Sequence, residues 1–382
     1  MSNTLTNLIP TIYAAKDQIL RELTGFIPAV TMDASAEAAA KDQTIRYPVV
    51  PALAATDITP AATGPDPSAT SQDSDTMSIS NVKSSTFFWE AEEQKGLGGL
   101  YDMILRDQFV QSMRTLVNEI ETDIAELYKY ASRAYGTAGA VPFGTNLAEA
   151  AQVRKILADN GAPLSDLQLV IDTTAGAALR TLSYFSKANE AGTEASARRG
   201  VLLDVHGFAI RESAQVQSHT KGTGTGYLVD LTAGYAVGTK TVHVDTGTGT
   251  FVAGDVITNS KTARDSNKYV IKTGFAGDGD GDIVLQNTGN KIAWVNNDPI
   301  TVGSNYTANM AFSRSAIHLL CRVPAMPEGG DSADEVMVVS DEQTGLSFQI
   351  AMYRQRRRVA YEVGIAWGVK AVKPEAIAIL LG

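Results

Sequence analysis

The chain has 382 residues, 44% of them hydrophobic and 19% charged: enough apolar material for a sizeable core, and too little charge for a disordered chain. Lys and Arg number 32 against 42 Asp and Glu, a net charge of −10, so the average surface is unsuited to gripping nucleic acid through its phosphates. At ~150 residues per domain the length predicts two or three folding units.

The N-terminal stretch MSNTLTNLIP has neither the basic nor the apolar region of a secretory signal. The longest apolar runs, such as 376–381, fall far short of the ~20 residues that span a bilayer, so synthesis in a reducing cytoplasm is expected. Residues 4–24 predict an amphipathic helix, with Leu5, Leu8, Ile9, Ile12, Ile19, Leu20 and Leu23 at three- and four-residue intervals. Residues 41–95 hold five of the 13 prolines and a polar tract, 68–76, between strand-like stretches 44–50 and 77–89. The second stretch places Met77, Ile79, Phe87 and Trp89 on one face. This pattern predicts a two-stranded arm, which buries too little to stand alone and must lean on something outside its own domain.

Residues 100–135 predict one helix about 50 Å long, with Met113, Leu116, Val117, Ile120, Ile124, Leu127, Tyr128 and Ala131 as its apolar stripe and Gly136, Gly139 and Pro142 ending it. Helix and strand then alternate: helix 147–159, buried strand 167–171, helix 175–187, a loop with Arg198 and Arg199, and strand 201–210. After His219 the composition changes, and 15 of the 30 residues 221–250 are Gly or Thr. Short alternating runs such as 241–244 and 269–272 follow, with Asp278, Asp280 and Asp282 read as a hairpin turn. An all-β, barrel-like module inserted into the α/β domain is expected, since 308–323 resumes the earlier style. Strands 336–339, 346–353, 359–367 and 376–381 close the chain, with 346–363 read as one long strand.

Signals of catalysis are sparse. Asp278 fails as the start of a calcium loop, because its sixth residue is Ile283 and its twelfth Gly289. The glycines at 222, 224 and 226 lack the Gly-Lys-Ser/Thr ending of a phosphate loop and read as a flexible junction. His206, His219, His243 and His318 have no ligand spacing, and Cys321, the single cysteine, excludes an internal disulfide and reads as core. No catalytic residue, cofactor or metal is expected. The informative charge feature is Arg354-Gln-Arg356-Arg357-Arg358: on a strand, Arg354, Arg356 and Arg358 share a face and need anions opposite. An intrachain acid is one answer. Acids of a neighbouring subunit are a second, with Glu90, Glu92 and Glu93 near Trp89, or Asp73 and Asp75 at the arm, as candidate intersubunit contacts, and nucleic acid is a third.

The order of parts resembles the tailed-bacteriophage major capsid proteins of the Hong Kong 97-type fold, nearest the gene-5-type coats of Salmonella short-tailed phages. The local likeness is Ala366-Trp-Gly-Val-Lys-Ala-Val-Lys-Pro-Glu-Ala-Ile377, similar to that family's Tyr-Gly-Val…Arg-Pro-Glu-Ala-Ile ending. The resemblance implies an α+β chain with an N-arm (1–40), an E-loop (41–95), a P-domain spine helix (96–137) and an A-domain begun at 138–218. An inserted β-domain (219–309) would follow, then an A-domain return (310–334), P-domain strands (335–358) and a C-terminal A-domain part (359–382). It also implies a non-enzymatic virion protein, assembled in the bacterial cytoplasm into hexamers and pentamers around DNA, with scaffolding and portal partners and no membrane. A β-rich phage tail protein or surface adhesin is the alternative, and a hydrolase lacking a nucleophile motif is a weaker one.

Overall fold

The structure, a computed structural model, describes residues 25–49, 73–182, 205–261, 265–340 and 345–382. The helix expected over 4–24, the arm tip at 50–72 and the loop at Arg198 and Arg199 lie outside the described residues.

The described chain opens on β1 (Thr31–Ala39), followed by an arm hairpin of β2 (Thr44–Val49) and β3 (Asp73–Ser78). The sequence placed 77–89 in one arm strand. The chain instead breaks at Ile79–Ser80, and β4 (Asn81–Glu90) joins the main body. Helix α1 (Ala91–Leu97) leads into the long helix α2 (Tyr101–Ala125), whose 25 residues run about 37 Å rather than 50. Its stripe is as expected, with Met113, Leu116, Val117, Ile120 and Ile124 all buried. It ends early because Glu126–Tyr130 tighten into a 3₁₀ turn and Ala131 turns extended, delivering β5 (Arg133–Tyr135) to a sheet beside the C-terminus. The glycines at 136 and 139 therefore lie beyond that strand.

Next come α3 (Ala148–Asp159), the fully buried β6 (Leu167–Ile171), α4 (Thr173–Thr181) and β7 (Phe208–Glu212). Asp172 caps α4 by accepting from the backbone N–H groups of Thr174 and Ala175. Beyond β8 (Ser218–His219) lie β9 (Tyr227–Val229), β10 (Thr241–Gly247), β11 (Val256–Asn259), β12 (Lys268–Thr273), β13 (Gly279–Leu285) and β14 (Pro299–Val302). These six pair antiparallel in the order β11-β14-β9-β10-β13-β12, and β12 returns to β11, so the ring of pairings closes. Inside it sits a separate core that includes Tyr227, Phe251, Tyr269, Ile283 and Trp294. The expected turn at 278–282 shifts: β13 already contains Asp280 and Asp282, and the connection is 274–278.

The expected strand at 308–323 is two strands, β15 (Tyr306–Ser313) and β16 (Ile317–Pro324), and then come β17 (Glu335–Ser340), β18 (Ser347–Gln355), β19 (Arg358–Ala371) and β20 (Ile377–Leu381). Two large sheets result. The inner one runs β12-β5-β20-β15-β6-β7, with β20 buried at every residue. The outer one runs β1-β16-β19-β18-β17, and β4 lies on the other edge of β19. Gly368 on β19 has a packing reason. The Ser78 carbonyl oxygen of the arm root would lie 2.1 Å from any Cβ there, so only glycine admits it. The Pro374–Ala376 3₁₀ turn then starts β20 at Ile377.

One buried acid ties the start of the described chain to the long helix. Glu121, 1% exposed, accepts from the backbone N–H groups of Gly25 (3.2 Å), Phe26 (3.0 Å) and Ile27 (2.7 Å) and from the Ser213 hydroxyl (2.9 Å). Burial raises its carboxyl above the usual value of 4.5, and the four donors partly offset this. Glu121→Ala leaves three buried N–H groups without an acceptor. It should cost about 3 kcal/mol and speed hydrogen exchange at Gly25, Phe26 and Ile27; unchanged exchange would contradict the tether. The raised carboxyl fixes the pH sign. Its contribution is full below the unfolded value near 4.5 and is lost as pH rises through the folded value. Denaturant melts of Glu121→Gln and its parent should therefore diverge with pH, the parent losing ground as pH rises; parallel curves would contradict the shift.

Candidate assembly surface

The surface is built on β4 and β19, which pair over ten residues from Arg358–Glu90 to Trp367–Asn81. The long helix crosses this ladder. Phe87, Phe109 and Tyr361 form an aromatic trio with centroids 5.1–5.4 Å apart. Polar ties flank it: Trp89 Nε1 donates to Gln108 Oε1 (2.6 Å), Lys83 Nζ to Glu119 Oε2 (2.5 Å), and both Asn81 Nδ2 (2.6 Å) and Trp367 Nε1 (2.7 Å) to Asp123 Oδ2. Phe87 and Trp89 thus share an inward face, as the alternation predicts. Trp89, one of the candidate contacts, turns its ring edge-on to Tyr101 at 5.6 Å, and the neighbour pointing outward is Phe88, 52% exposed. Leu100 and Met103, also more than half exposed, lie at the start of the long helix, which packs on the Phe87 side of the strand. The alternation that buried Phe87 could have revealed Phe88 as the exposed one.

The acids at the arm's end have a local task. Glu90, Glu92 and Glu93 do not lie on one strand. Glu90 caps α1, Glu93 returns a bond to the Glu90 N–H (3.2 Å), and Glu92 and Glu93 fill the first turn, where they suit the helix dipole. Asp73 and Asp75 belong to β3, and their side chains lie outside the described residues.

The arginine run is not a strand either. β18 ends at Gln355 and β19 begins at Arg358, so Arg356 and Arg357 form a two-residue hairpin tip, with Arg357 in the left-handed region at φ 59°. Arg354, Arg356 and Arg358 therefore do not stack on one face. Arg354 lies 3.7 Å from Glu335 of β17, and its N–H donates to Asp334 Oδ2. Arg358 bonds Gln355 and covers the Phe88 ring at 5.2 Å, opposite Glu90 in register. Arg354 thus has an acid of its own chain beside it. Arg356 and Arg357 reach no carboxylate among the described residues.

Among the described residues several sheet margins are open, and two stand out. β17 forms the outer sheet's edge, with Val336 and Val338 exposed, and the β2–β3 hairpin stands as its own two-stranded sheet. Its root is buried: Met77 and Ile79 pack with Leu320 and Ala366, and Ile45 leans on them. Such edges are templates for further strands.

The β-module is fastened by a chain of buried polar groups that sequence spacing does not show. Tyr128, just past the long helix, bonds His219 Nδ1 (2.8 Å), and His219 Nε2 bonds Asp255 Oδ1 (2.9 Å). Burial pushes the Tyr128 phenol up to about 12; with Asp255 taken as the acceptor from His219 Nε2, the phenol is assigned as the donor to Nδ1. Asp255 also accepts from the N–H groups of Gly222 and Val252, which fixes the junction that glycines 222, 224 and 226 were expected to leave flexible. His243, on β10, is raised by its bond to Asp282 on β13 (2.8 Å). Among the described residues no group of three His, Cys, Asp or Glu is placed to hold a metal ion. Cys321 is fully buried, which pushes its thiol up to about 11. Among the described residues no helix is long and apolar enough to cross a membrane.

No protein-family model matches the sequence, and no curated protein matches it. Solved structures do. A chain of the Mycobacterium phage Che8 structure is 14% identical, with 90% of this chain and 85% of that one covered at a TM-score of 0.45. A virus-like particle from Pyrococcus furiosus is 10% identical over 97% and 98%, at 0.44. The capsid structure of the cyanophage P-SCSP1u is 14% identical over 94% of this chain and 88% of that one, at 0.50. Over nearly its whole length, then, the chain has the fold of a phage capsid protein.

Proposed function

We propose that the chain is a major capsid protein of the Hong Kong 97 type, a non-enzymatic subunit that assembles with its own copies into an icosahedral shell. The observation that carries this reading is the fold shared with the cyanophage capsid chain over nine-tenths of the length. In these terms 1–40 is the N-arm, 41–95 the E-loop with β4 at its base, α2 with the strands of 335–358 the P-domain, and 138–218, 310–334 and 359–382 the A-domain, although β19 in the last of these pairs with β18 and β4. The closed ring of six strands is the inserted β-barrel domain, in the place where gene-5-type coats carry theirs. The C-terminal motif supports that kinship: Trp367 ties to the spine helix, Gly368 admits the arm root, and Pro374 starts the turn into β20.

The mechanism is geometric. The arm hairpin, the exposed Phe88, Leu100 and Met103, and the β17 edge each offer a modest surface. Specific interfaces bury ~1,600 Å² in total, and in a closed lattice each copy repeats several such contacts, so each can stay weak and reversible while the shell holds. The net charge of −10 suits a wall that encloses DNA without gripping it. Hexamers and pentamers, scaffolding and portal partners, assembly in a bacterial cytoplasm and a final place in the virion complete the reading.

Because β4 belongs to the body, an arm deletion must spare it. Replacing residues 44–78 with a short Gly-Ser link should leave a folded monomer by circular dichroism while abolishing shells in sedimentation and negative-stain microscopy. Normal shells would contradict the arm's role. Phe88→Ser, Leu100→Ser and Met103→Ser should each change monomer stability by no more than about 0.5 kcal/mol, yet together sharply lower the yield of particles; an unchanged yield would remove these three exposed residues from the assembly surface.

A further inference from the structure

On the outer sheet, beside the hairpin tip, lies a groove of about 180 Å³ lined by Pro324, Met326, Asp331, Tyr353 and Glu362, among others. Its centre has an unusual hydrogen-bond count. The Tyr353 hydroxyl lies 2.7 Å from Asp331 Oδ2 and 3.0 Å from Glu362 Oε2. A phenol carries one hydrogen, so it can donate to only one carboxylate. Asp331, the nearer, is held below its usual range by this bond, and Glu362 is left facing the phenol oxygen's lone pairs. Asp334 and Glu335 lie close by on the same sheet, where Arg354 is the nearby cation, and the groove's Lys83 is taken by Glu119. The groove therefore sets two carboxylates against one phenol hydrogen between the apolar walls Pro324 and Met326. An arginine has the missing parts: five N–H donors for the two carboxylates and a plane to lie against the apolar walls.

We propose that this groove receives the Arg356–Arg357 tip of a second copy of the chain. These arginines are exposed and, among the described residues, have no acidic partner, so charge and hydrogen-bond demand match on the two sides. Tip and groove are also close within one copy. Tyr353 and Arg356 are three residues apart, about 10 Å of extended chain, and yet Arg356 does not fold back into its own groove. A donor and an acceptor site so near each other let a rotation axis beside the tip satisfy every copy at once, which closes the contact into a small ring. This rests on the shell reading and names one of its contacts.

The test is a charge swap scored by particle yield in sedimentation and electron microscopy, with each variant's monomer fold checked by thermal melting. Arg356→Glu with Arg357→Glu should lower yield at least tenfold, and so should Asp331→Lys with Glu362→Lys. Asp331→Lys alone, at a fully exposed position, serves if the half-buried Glu362 proves intolerant. Joining tip and groove reversals in one chain should restore yield to within about threefold, because every copy then carries the inverted pair. Parent-like yields from the reversed variants, or a combined variant no better than they are, would overturn the groove contact while leaving the shell reading intact. A parent chain that forms no particles at all would overturn the shell reading and the contact with it.

Discussion

Everything else in the molecule hangs from the ladder between β4 and β19 and the long helix laid across it. β19 runs 14 residues and is paired on both edges, to β4 on one side and to β16 and then β18 on the other. It therefore carries the hairpin tip at one end and reaches the C-terminal motif at the other as a single stiff element. The helix is fixed to this ladder at Gln108, Glu119 and Asp123 and by the trio around Phe109, spacings that fall along one helical face. Aromatic pairs of this kind contribute ~0.5–1.5 kcal/mol each beyond their burial. Strand and helix are thereby held against each other along the ladder.

That rigidity is what lets weak contacts add up in the proposed shell. The arm leaves from a root locked by Met77, Ile79 and the close approach at Gly368, so the hairpin beyond it is aimed by the body. The β-module keeps its own aromatic core and meets the body through the β12–β5 pairing, the Tyr128–His219–Asp255 chain, bonds such as Arg133–Asn267 and Gln286–Lys129, and Val256 and Val270, which pack within the main core. It is a second core fastened to the first by both pairing and packing. A triad of phenol, imidazole and carboxylate would suit catalysis elsewhere; here the phenol is buried at the end of the helix and the carboxylate is filled by backbone donors, so the arrangement acts as a clasp.

Much of this was legible from the residues. The 3.6-residue stripe marks the long helix, the alternation of Phe87 and Trp89 marks β4's inward face, and the Gly/Thr-rich composition marks the module. The helix end and Glu121 were missed for one reason: partners distant in sequence override local pattern. The helical stripe continues through Ala131, but pairing with β20 pulls the chain straight before it. The arginine run carries no glycine, asparagine or proline, so nothing local signals the turn that Arg357 makes with a positive φ. Glu92 and Glu93 suit a helix start as well as a strand, and only the capping bond distinguishes them. Glu121 looks like one more charge on a helix face until Gly25, Phe26 and Ile27, some 95 residues away, bring their N–H groups to it.

The most direct measurement is cryo-electron microscopy of particles formed by the unaltered chain, at a resolution that traces the strands between neighbouring copies. Closed shells in which β4 stays paired to its own β19, while the β2–β3 hairpin lies over an adjacent copy, are the expected result. A chain that remains monomeric at high concentration, with the hairpin folded back on its own body, would contradict the shell and the arm together.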